Sequence, residues 1–114
     1  MKELQGQQIL MRIFIGEKKK HGHKSLYQAI VEMLREEKVA GATVLRGITG
    51  FGAKSHLHSA HLLTLSQDMP MVIECIDTQE NIDRIMPKID DMVSEGLVTL
   101  EKVEVIRYVP KEKD

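Results

Sequence analysis

Apolar side chains recur at helical spacing twice in this chain. The first stripe is Leu26, Ile30, Met33 and Leu34; the second is Ile82, Ile85, Met86, Ile89, Met92 and Val93. The segments around them are rich in β-formers, and this alternation constrains the fold more than any other feature. Ser25 and Gln28 precede the first stripe with capping-box spacing, so the Ser25 oxygen is expected to satisfy an orphan amide of the first turn. Gly41 is expected to supply its left-handed stop. The second helix starts between Asp77 and Glu80 and ends at Gly96. Pro87 inside it should remove one backbone hydrogen bond and kink it.

Strands are expected over residues 7–16, 42–51, 60–65, 70–76 and 97–109, with Pro70 tolerable only at a strand start or edge. The charged run "EKKKHGHK" after the first strand reads as a loop. Strand, helix, strand, strand, helix, strand is the ferredoxin-like split βαβ order. The expected class is therefore α+β, a four-stranded antiparallel sheet with two helices on one face. One domain fills residues 1–114, with its core over about 8–109. Aromatic residues make up only 4% and Trp is absent, so that core must be aliphatic.

In "VEVIRYV", strand alternation places Val103, Val105, Arg107 and Val109 on one face and Glu104, Ile106 and Tyr108 on the other. Two helices cover only one face, so apolar residues on both imply that packing of sheet on sheet between subunits covers the second.

The net charge of −1 and a pI near 6.5 argue against a general nucleic-acid binder. Cys75, the one cysteine, lies in the apolar run "MVIECI" and reads as a buried, inert thiol. No run of about 20 apolar residues is present, and "MKELQGQQ" lacks a signal peptide's apolar stretch, so a cytoplasmic protein without membrane insertion is expected.

"GITGFGAKSHLHSAH" concentrates the candidate chemistry. Gly47, Gly50 and Gly52 match neither the Rossmann nor the Walker spacing. They read either as a strand-to-loop transition or as backbone amides left free to face a phosphate. His56, His58 and His61 are candidate metal ligands, though no carboxylate or cysteine accompanies them, and solvated loop histidines are the plainer reading. His21 and His23 read the same way, and Lys18, Lys19 and Lys20 read as a solvated face. Arg46 and Arg107 each stand alone in an apolar strand, either in an ion pair or as an anion clamp. Glu74 and Asp77 are explained by strand solvation and helix capping, so no acid–base catalyst stands out and no enzyme is expected.

Taken together, "GATVLRGITGFG", "FIGE…HG…SLYQAIVEMLRE" and "EGLVTLEKVEVIRY" resemble the PII-like proteins grouped as a domain of unknown function, and more distantly the nitrogen-regulatory PII signal proteins. The resemblance implies a homotrimer that binds adenine nucleotides in clefts between subunits and regulates a partner through a mobile loop. Gly50, Phe51 and Gly52 match the base of that loop, Gly96 lies near the turn that wraps the phosphates, and Arg107 matches one of two arginines on the last strand. Val105 occupies the position of the other arginine, which favours AMP or ADP over ATP. Relatives are associated with ion transport, so a membrane transporter is one partner the resemblance implies. The alternatives are a metal- or pH-responsive module using His56, His58 and His61, or a small trimeric enzyme.

Overall fold

The computed structural model describes residues 4–51, 58–59 and 68–110, with His58 and Ser59 as backbone only. Gly52, His56, His61, the expected strand 60–65 and the rest of the expected loop lie outside the described residues. The elements are β1 Gly6–Gly16, β2 Lys20–His21, β3 Lys24–Ser25, α1 Leu26–Glu36, β4 Thr43–Arg46, β5 Thr49–Gly50, β6 His58–Ser59, β7 Pro70–Asp77, α2 Gln79–Met92 and β8 Leu97–Val105. The main sheet runs β4-β7-β1-β8 with every pairing antiparallel, which is the expected ferredoxin-like arrangement.

Alternation along β1 separates two faces. Ile9, Met11, Ile13 and Ile15 are buried beneath the helices with Met71, Ile73 and Cys75 of β7. Leu26, Ile30, Met33 and Leu34 of α1 meet Ile82, Ile85 and Ile89 of α2 over this layer. Each fully buried aliphatic side chain contributes roughly 1.5–3 kcal/mol, so this one layer supplies most of the driving force for folding. Met86, Met92 and Val93 complete the second stripe at the core margin. Pro87 sits inside α2, and the helix runs through it as one element of 14 residues. Pro70 starts β7, where its missing amide costs the ladder nothing.

Several local expectations are corrected. "EKKKHGHK" contains a small hairpin, β2–β3, turning at Gly22 with φ 65°, a tight turn with glycine first. Ser25 is the N-cap of α1, but its side chain makes no capping bond; the Leu26 amide instead donates to the Lys19 carbonyl at 2.8 Å. At the far end the left-handed residue is Lys38, φ 62°, and not Gly41. The Val39 amide donates to Leu34 O and the Lys38 amide to Arg35 O, each at 3.1 Å, which is a Schellman closure. The strand expected over 42–51 breaks after Arg46. The Gly47 amide donates to Pro70 O at 2.7 Å, and a Cβ on Gly47 would lie 2.6 Å from Pro70 Cγ. Beyond this crossing, β5 leaves the main sheet and pairs with β6. The last strand stops at Val105, four residues short of expectation, because its pairing ends opposite Gly6 at the start of β1.

Two carboxylates tie the segment between α1 and β4 to the rest. Thr78 is the N-cap of α2, its Oγ1 accepting the Asn81 amide at 3.1 Å. The neighbouring Asp77 is fully buried and accepts from Thr78 N, Asn81 Nδ2 and Ala40 N at 2.7–2.9 Å. Glu37 receives Lys88 Nζ and, at 2.6 Å, Arg84 Nη1. Lys88 above all, and then Arg84, hold the Glu37 carboxyl below its ordinary value.

Lys38→Gly should raise stability by about 0.5–1 kcal/mol, because glycine adopts the left-handed conformation without the Cβ clash; the urea midpoint measures it. A depressed carboxyl favours the fold above the ordinary value of 4.5, and that contribution is lost as pH falls through the depressed value. Glu37→Gln should therefore lower stability at neutral pH and reduce its fall on acidification, as urea titrations at pH 7 and about pH 3 would show.

Candidate functional site

Among the described residues, the face of the sheet away from the helices is largely open. Leu10, Arg12 and Phe14 of β1 share it with Val72, Glu74 and Ile76 of β7, Thr43 and Leu45 of β4, and Leu97, Val103 and Val105 of β8. Leu45 is 49% exposed and Leu97 56%, high values for aliphatic side chains in a central sheet. At the centre, Arg12 Nε donates to Glu74 Oε2 at 2.8 Å and Nη1 donates to Glu101 Oε1 at 3.0 Å. Arg12 and Glu74 stand opposite each other in the β1–β7 register. Glu74 is thus an ion-pair partner and not merely a solvated strand residue.

At the Gly6 end of this face lies a cavity of about 440 Å³. Its walls are Leu4, Leu10, the stretch 40–43, Glu74, Cys75, Ile76, Val105, Arg107 and Tyr108. Beyond β8 the chain folds back, and the Tyr108 hydroxyl donates to Ala40 O at 3.3 Å. Arg107 is exposed on this returning segment and makes no ion pair among the described residues. The cavity therefore offers a guanidinium and a carboxylate across an apolar floor. That suits an anion that also carries hydrogen-bond donors.

The other expected site residues sit at the opposite end of the sheet. Arg46 Nε donates to Glu17 Oε1 at 3.1 Å, so its charge is partly neutralised on the surface. Gly50 pairs with His58, and Phe51 is 71% exposed. A Cβ on Gly96 would lie 2.7 Å from the Phe14 carbonyl oxygen, so glycine is required there by close backbone approach. Val105 pairs with Gly6 and Leu97 with Phe14, so the two ends are eight residues of β1, about 27 Å, apart. One chain does not bring Arg107 together with Arg46, Gly50 and Gly96.

Among the described residues no group of three His, Cys, Asp or Glu side chains is placed to hold a metal ion. Also among the described residues, no helix is long and apolar enough to cross a membrane. Sequence reading missed the 40–43 stretch, Glu74 and Tyr108 as cavity walls. A signal existed for Glu74: it and Arg12 are lone opposite charges on two apolar strands. Tyr108 gave none, since its role depends on the chain turning back after β8.

The family described as "Uncharacterized ACR", DUF190, matches residues 8–105. A UPF0166 protein of Aquifex aeolicus is 38% identical over 97 residues, which cover 85% of this chain and 91% of that protein. A UPF0166 protein of Methanocaldococcus jannaschii is 31% identical over 99 residues, 86% of this chain and 91% of the other. Among solved structures, CPII of Thiomonas intermedia K12 superposes with a TM-score of 0.60 over 89% of this chain and 90% of its own. It is a nitrogen regulatory PII-like protein bound to ADP, AMP and bicarbonate. At 17% identity this likeness shows the fold.

Cys75 is buried on the helix side of β7, and burial first, then the Asp77 carboxylate, pushes its thiol up to about 12. It should therefore resist a thiol-specific reagent at pH 8 in the folded protein and react at once in denaturant. Fast labelling of the native protein would show that the cavity wall opens.

Proposed function

Because the chain belongs to the DUF190 family, whose fold it shares with PII-like proteins, we propose that it is the subunit of a non-enzymatic, PII-like regulator. Copies associate through the open sheet face into a homotrimer. A small anionic ligand, an adenine nucleotide in this reading, binds where the Arg107 cavity of one copy meets the Gly50 and Gly96 end of another. The ligand alters the loop that begins at Gly50, and the loop contacts a partner protein.

The observation that carries this reading is the split of the candidate residues between two ends of one sheet. A cation over a 440 Å³ cavity and a glycine-lined backbone at the far end become one site only when a second copy supplies the missing half. The open face supports the association. Among the described residues Leu45 and Leu97 on it stay about half exposed, and burying such side chains contributes about 25 cal/mol per Å². CPII, of the same fold, holds ADP and AMP, which makes these the first ligands to test. One arginine on the last segment, with Val105 where the resemblance places a second, suits fewer phosphates and favours AMP or ADP over ATP. The ligand acts on a partner only if it binds the two loop states with different affinity.

Light scattering should give three times the mass of one chain at micromolar concentration, and AMP or ADP should raise the melting temperature. Arg107→Gln should leave the trimer intact and weaken the nucleotide about 10–100-fold, the worth of a charge-assisted hydrogen bond to phosphate. A stable monomer, or unchanged affinity in the variant, would overturn the assignment.

A further inference from the structure

The segment from Lys18 to Lys24 is basic at every position except Gly22, in a chain whose net charge is −1. Lys19 is paired with Glu95, and Lys24 with Glu32 at 2.5 Å. Lys18, Lys20, His21 and His23 are exposed and make no ion pair among the described residues. The segment is not a loose tail. β2 and β3 pair across the Gly22 turn, the Lys18 amide donates to Asp68 Oδ1 at 2.7 Å, and the Leu26 amide donates to Lys19 O at 2.8 Å. Holding like charges together on a rigid hairpin costs self-repulsion, and neither the core nor the cavity uses them.

We propose that the β2–β3 hairpin is a docking surface for an acidic segment of a partner protein. The partner reading above is its premise; what is added is where the partner docks and what chemistry it carries. The hairpin lies at the loop end of the molecule. The Glu17 amide donates to Met69 O at 2.8 Å, and the Glu17 carboxylate accepts from Arg46, just before Gly47. A protein that grips the loop base therefore reaches the hairpin. Carboxylates suit it better than nucleic acid or lipid. The chain's net charge of −1 argues against a nucleic-acid surface, and the hairpin has no apolar side chain to enter a bilayer. Its backbone is fixed before binding, so little ordering cost is incurred there.

The test is binding of a labelled oligoglutamate peptide to the full chain. Wild type should bind it at low salt and weaken about fivefold or more when salt rises from about 50 to about 300 mM. Lys18→Glu with Lys20→Glu should abolish binding, while Lys102→Glu, an exposed lysine on β8, should leave it within twofold, a limit set roughly by general charge. Equal loss in both variants, or no binding by wild type, overturns the proposal. So does tighter binding to oligo-dT or to phosphatidylglycerol vesicles, which would assign the hairpin to nucleic acid or to lipid. Oligomer mass and nucleotide thermal shift are measured in the double variant too. If they persist while peptide binding is lost, the hairpin is separate from the ligand site. If wild type lacks them but binds the peptide, the nucleotide reading fails and the hairpin assignment stands.

Discussion

The register of β1 between its two neighbours is the constraint on which the rest of this molecule depends. Ile13 lies opposite Ile73 and Val98, and Arg12 opposite Glu74 and Thr99. A slip of one residue would move every side chain of β1 to the other face, placing Arg12 in the core and Ile13 on the open side. The energy that prevents this comes from the buried aliphatic layer. Exposed ion pairs contribute about 0–1 kcal/mol, so the Arg12–Glu74–Glu101 group adds selectivity of register more than stability. The same register sets the spacing between the cavity at the Gly6 end and the glycine-lined end near Phe14.

The cavity depends in turn on the segment between α1 and β4, which has little core of its own. Its position is set by polar bonds: Asp77 to the Ala40 amide, Arg84 and Lys88 to Glu37, and Tyr108 to the Ala40 carbonyl. Asp77 can do this while fully buried because three donors replace the water it has lost. One carboxylate thus organises the start of α2 and one wall of the candidate site.

Much of this was legible in the residues themselves. The two helical stripes and the order of strands led to the ferredoxin-like architecture, because period and burial are linked by geometry alone. The N-cap position of Ser25 and the place of Pro70 were also visible, whereas α2 ends at Met92, four residues before the expected stop at Gly96. The ends were harder. Gly41 looked like the natural stop for α1, but the Schellman closure formed one turn earlier, over Lys38, because Val39 is drawn back against the core. β4 was read too long since nothing local to Gly47 announces Pro70 as its neighbour, more than twenty residues away.

The candidate site divides along the same line. Sequence by itself determined the fold class, the aliphatic core, the inert cysteine, and which residue types stood as lone charges or clustered glycines. All of these follow from local period and from the cost of burying charge. Only the tertiary structure decided that Glu74 belongs to Arg12, that Tyr108 returns to Ala40, and that Arg107 and Gly96 lie at opposite ends of one sheet. These are pairings between residues far apart in the chain. They are fixed by antiparallel register and by where a strand runs out of partner, and neither quantity is present in any local stretch of residues.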